Sequence, residues 1–172
     1  KSKKLSKDGA KEAFYFIPPE QVSVIDAIIS AREDYKITKN DLAIGGLRRN
    51  RAKTICAVQP SAQVEHWVGK LTKLTTNSEG LGVITVAIGN DIFVSTWNNF
   101  FSDKQYGTLI DPDTDVSNSL EVLEIGQRIK FSGSLIRDQK LDCFQTQNLI
   151  MDYAINQPVF TFRFSDVQTY QP

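Results

Sequence analysis

The apolar residues of this chain change their period once, near Pro60, and that change sets what the chain can fold into. Before it, apolar or small residues recur at a seven-residue step, with Ile28, Tyr35 and Leu42 on one line and Val24, Ala31, Thr38, Gly45 and Ala52 on the line beside it. That spacing places them along one face of a helix. From Val64 onward they alternate instead, as in Ile84, Val86 and Ile88, the period of a strand with one buried face. The expected class is α+β: a long amphipathic helix, then a closed sheet. With 172 residues, 41% of them hydrophobic, the chain is long enough for one cored domain with an appendage.

Proline and glycine mark the boundaries. Pro18-Pro19 cannot lie inside a helix but can open one, so a flexible basic leader is expected over 1–18 and a helical arm over 19–57. The arm's small-residue seam fits packing on the chain's own sheet; a dimerising coiled coil is the alternative. Gly45-Gly46, each costing about 1 kcal/mol relative to alanine, mark the expected break.

The remainder, 60–172, reads as a five- to six-stranded barrel. Strands are expected over 64–76, with Gly69 at a bend, over 81–88, and over 92–97 after a Gly89-Asn90-Asp91 turn. A short helix capped by Ser117 or Ser119 carries Leu120, Val122 and Leu123 and ends at Gly126. Further strands follow over 127–136, 143–151 and 159–165, the last with Phe160, Phe162 and Phe164 on one face.

Three strands, a short helix and two strands is the order of the five-stranded OB barrel. Trp67-Val68-Gly69 opening a long strand, and Gly126-Gln127-Arg128-Ile129-Lys130-Phe131-Ser132-Gly133 after the helix, resemble small bacterial OB-fold proteins of the tRNA-anticodon-domain-like group. The likeness spans about residues 60–165. It implies an oligonucleotide/oligosaccharide-binding type of barrel with a short helix between strands three and four.

Charge argues against the commonest use of such a barrel. Residues 1–53 carry twelve Lys/Arg against seven Asp/Glu, a net of +5, and residues 54–172 carry eight against thirteen, a net of −5. Single-stranded nucleic acid is held mainly by phosphate neutralisation, and the barrel has the wrong sign unless Lys70, Lys73, Arg128, Lys130 and Arg137 gather on one face. Arg48, Arg49, Arg51 and Lys53 form a cationic cluster on the arm, expected to meet RNA, an anionic lipid surface or, as the favoured reading, the acidic barrel of the same or another copy.

The most promising binding stretch is Trp97-Asn98-Asn99-Phe100-Phe101-Ser102-Asp103. Its rings suit stacking on a base, a sugar or a partner's side chain; alternatively they plug the end of the barrel. Together with Arg128 and Lys130 it is the expected binding surface. No catalytic motif accompanies the single histidine, His66, and neither a catalytic role nor a cofactor is expected. Asp111, Asp113 and Asp115 alternate as calcium ligands do, but Val116 and Val122 stand where an EF-hand needs glycine and glutamate. A solvated acidic loop is the expectation there.

The two cysteines, Cys56 and Cys143, form no C-x-x-C pattern and leave a long-range disulfide or two free thiols open. No run approaches the ~20 apolar residues of a membrane span. Opening on Lys1 rather than Met fits a processed or excised chain, and a lost anchor or signal would favour the bacterial envelope over the cytoplasm. The expected function is therefore a non-enzymatic, protein-binding or self-associating module. Single-stranded nucleic-acid binding is the alternative, and a small-molecule or sugar-binding barrel the weaker one.

Overall fold

The structure, a computed structural model, describes residues 16–171. Most of the leader expected over 1–18 lies outside the described residues. Helix α1 (Pro19–Ile37) opens at Pro19, whose fixed φ suits the first helical position. The expected long helix is two helices, and the break is not at Gly45-Gly46, which lie inside α2 (Asp41–Val58). It falls at Thr38, which is extended and returns its hydroxyl to the Asp34 carbonyl at 2.6 Å. Asn40 then starts the second helix by accepting the Ala43 N–H at 2.9 Å. A local side-chain cap outweighs two glycines that a helix merely tolerates.

The apolar seam works only in its first half. Val24, Ile28 and Ala31 are buried, Val24 and Ile28 within the core of the sheet, while Leu42 is 84% exposed. Ahead of these, in its first turn, α1 contributes Gln21, fully buried, whose amide accepts from Val68 N–H at 2.9 Å and donates to Val68 O at 2.6 Å and Ile88 O at 3.3 Å. It supplies hydrogen bonds just beyond the point where the first two strands stop pairing, so that their buried backbone groups are satisfied.

Strands β1 (Gln63–Thr76), β2 (Gly82–Gly89), β3 (Ile92–Ser95), β4 (Arg128–Leu135) and β5 (Val159–Thr169) close in the order β1-β2-β3-β5-β4. All neighbours are antiparallel except β3 and β5. β1 is long enough to serve two partners, and Lys70 faces both Ala87 of β2 and Arg128 of β4. The irregularities flank Gly69, at Val64/Trp67 and Leu71/Lys73. Gly69 itself permits close approach, since a Cβ there would lie 2.5 Å from Val86 and 2.6 Å from the Ala87 carbonyl. Inside, Phe131, Phe162 and Phe164 pack edge-on or tilted with centroids 4.7–5.5 Å apart, as aromatic quadrupoles prefer.

Two other expectations need correcting. The short helix, α4 (Asp115–Leu120), is capped by Thr114, not by Ser117 or Ser119; it buries Leu120 but leaves the following Val122 exposed. The segment 143–151 is not a strand. It makes only isolated bridges, Arg137 with Phe144 and Thr146 with Phe160, and ends in α5 (Met151–Asn156). Its apolar run is read by two different neighbours: the disulfide and core take Cys143 and Phe144, and solvent takes Leu149 and Ile150.

Candidate interaction surface

The chain leaves β3 at Ser95, two residues earlier than expected, and enters a loop held by one buried carboxylate. Asp103, at the end of the single-turn helix α3 (Phe100–Asp103), accepts from the Thr108 N–H at 2.7 Å, the Leu109 N–H at 2.9 Å and the Thr108 hydroxyl. Thr108 Oγ1 in turn accepts the Trp97 N–H at 2.9 Å. Asn99 caps α3 by accepting from Ser102 at 2.8 Å, and Asn98 accepts from Lys73 at 2.8 Å. Both asparagines and the aspartate are thus spent on shaping the loop. A charged acceptor meeting several donors makes such a brace stiff.

This brace sorts the aromatics into two groups. Trp97 is half-buried and stacks on Tyr106, centroids 6.1 Å apart, with its indole N–H unpaired among the described residues. Tyr106 is anchored from both ends: its hydroxyl accepts from Gln145 at 2.9 Å and its carbonyl accepts from Arg163 Nε at 3.0 Å. Phe100 and Phe101 are 48% and 88% exposed and touch each other edge to face, centroids 6.3 Å apart. Two phenyl rings therefore stand in solvent on a braced loop.

Arg128 and Lys130 are not brought to this loop. They sit half-exposed on β4, paired across from Lys70 and Val68 of β1, and β5 lies between β4 and β3. Lys73 of β1 does reach the aromatic stretch, through Asn98.

The arm's cationic cluster divides. Arg49 and Lys53 are exposed, whereas Arg48 and Arg51 turn inward onto Asp142. Arg48 makes a two-pronged contact, Nε to Oδ1 at 2.9 Å and Nη2 to Oδ2 at 2.8 Å. Arg51 lies 3.5 Å from Oδ1 and donates to the Ala154 carbonyl at 2.9 Å. Hydrogen bonding to Asp142 holds the Arg48 guanidinium above its ordinary value, while burial pulls Arg51 below its own. Nearby Asp138 is pushed up by burial but ends below the usual range, because it accepts backbone N–H groups from Lys140, Asp142 and Leu141 and lies near Arg48. Beside this knot Cys56 of α2 and Cys143 form a disulfide, so ion pair and covalent bond fasten α2 to the same stretch of chain.

His66 is exposed at a bulge of β1 with φ 55°. Asp111, Asp113 and Asp115 are exposed, and among the described residues no three potential ligands gather as a metal site would require. No helix among them is long and apolar enough to cross a membrane.

Asp103, Tyr106, Thr108, Gln145 and Asp142 carry this geometry; of these only Asp103 stands in the stretch that the sequence singles out, and there as part of a binding surface, not as its brace. The first three lie within one short polar stretch, where an aspartate followed by a Gly-Thr turn is the only local sign. Asp142 is 94 residues from Arg48 and has none beyond the opposite charge of the two halves. The chain matches no protein-family model and no curated protein.

Proposed function

We propose that the chain is a non-enzymatic, protein-binding module on an OB-type barrel, working in the oxidising envelope of a bacterium or in a larger assembly there. The OB reading is supported by the strand order, by the parallel β3–β5 pair and by α4 between β3 and β4. The observation that carries the protein-binding reading is the pair Phe100 and Phe101, exposed on a loop that Asp103 holds rigid. Large rings presented without an ordering cost are what a protein interface uses as anchors. The Cys56–Cys143 bond supports an oxidising compartment, since such bonds persist mainly there.

Single-stranded nucleic acid is the competing ligand, and charge disfavours it. Residues 54–172 carry a net of −5, and Arg128 and Lys130 sit on β4, separated from β3 by β5, so the sign of the barrel works against a phosphate backbone.

A benzophenone side chain placed at position 101 tests the reading in the cell that makes the protein. Illumination is expected to give a discrete, nuclease-resistant protein adduct that is absent when the group is moved to Glu65 and lost with Phe100→Ala. Adducts only to nucleic acid, or equal labelling from positions 101 and 65, would sink it.

A further inference from the structure

We propose that the far end of β1 and the cleft beside α4 form a second docking groove, which takes an extended, lysine- or arginine-bearing peptide of another protein as an added strand. The groove is separate from the Phe100–Phe101 loop and is read out at different residues.

The strand edge comes first. β1 pairs with β4 only as far as Lys70 opposite Arg128, and the last backbone bonds across that edge are Leu71 N–H to Gln127 O at 2.9 Å and Gly126 N–H to Leu71 O at 2.7 Å. β1 nevertheless runs on to Thr76, registered against β2 alone. Asn77 N–H donates to Leu81 O at 3.0 Å, which fixes the phase of the ladder. Backbone groups alternate sides along an antiparallel strand, so Thr75 faces β2 while Leu74 and Thr76 point their N–H and C=O groups away from it. On that side no strand pairs with them among the described residues. An open edge of this kind is a template for another strand.

The cleft supplies the side-chain pocket. It measures about 440 Å³ and is floored by Leu74, Ile110, Pro112, Leu120 and Leu123. Alternate side chains of an added strand point to one face, so apolar residues at every second position would enter it. The rim supplies the sign. Glu121 lines the cleft, Glu79 adjoins Gly80, and Asp111 and Asp113 flank Pro112. All four are exposed, none is in an ion pair among the described residues, and no Lys or Arg lines the cleft. A cationic occupant is attracted and an acidic one rejected.

The probe is a fluorescein-labelled nonapeptide of alternating lysine and valine, titrated against the full chain at physiological salt. Saturable binding in the micromolar range is expected, weakened at least about tenfold by N-methylating alternate peptide amides and about tenfold by Glu79→Lys with Glu121→Lys. Replacing the lysines by glutamate should abolish it. Amide exchange at Leu74 and Thr76, fast in the free protein, should slow when the peptide binds. Absence of saturable binding, indifference to N-methylation, or protection appearing elsewhere would overturn the proposal. Leu74 and Thr76 amides already protected in the free protein would also overturn it, by placing the chain's own residues in the groove.

Discussion

Asp142→Ala is expected to lower stability by about 3 to 5 kcal/mol, the cost of leaving a buried charge without its partner. The side chains of Arg48 and Arg51 are 11% and 1% exposed and that of Asp142 is 6% exposed. Removing the single carboxylate strands two guanidinium groups in a medium that solvates them poorly. Arg51 keeps its bond to the Ala154 carbonyl, which neutralises no charge. For a chain of this size each kcal/mol shifts the melting temperature by about 2 to 4 °C, so a drop near ten degrees should appear in a thermal melt. Replacing all three residues together, Arg48→Met, Arg51→Met and Asp142→Leu, should recover most of the loss, because apolar substitutes carry no desolvation cost. A loss below about 1 kcal/mol in the single variant would mean that the three groups behave as a solvated surface pair.

Cys56→Ser with Cys143→Ser should cost about as much by a different route. The bond closes a chain separation of 87 residues, and the chain-entropy estimate for a loop of that length is about 4 to 5 kcal/mol. Urea unfolding with and without reductant measures it directly. Because Cys143 follows Asp142 in sequence, the two losses share one stretch of backbone, and their combination should fall short of additivity. Reduction that leaves the urea midpoint unchanged would contradict this account of how α2 is fastened.

Which of these features the sequence discloses follows from the range of the forces involved. The alternation of Ile84, Val86 and Ile88, and of Phe160, Phe162 and Phe164, reports burial of one strand face and was legible because it is local. The helix break was legible in principle at Asn40 before Asp41, a capping pair, but the conspicuous glycines at 45 and 46 competed with it. The stretch 143–151 misled because apolar alternation does not say whether one neighbour or several will cover the residues. At the surface, Phe100 and Phe101 were visible as aromatics, yet their exposure depends on Asp103 reaching forward to Thr108 and Leu109. The division of the arginines depends on Asp142, brought from the other half of the chain. Tertiary contacts of that range leave almost no trace in spacing.

The central claim, that this barrel grips protein and not polyanion, is tested most directly by fluorescence anisotropy with labelled single-stranded DNA and RNA at two salt concentrations. The acidic barrel predicts no saturable binding tighter than about 10 μM at physiological ionic strength. Sub-micromolar affinity that falls steeply with added salt would contradict it.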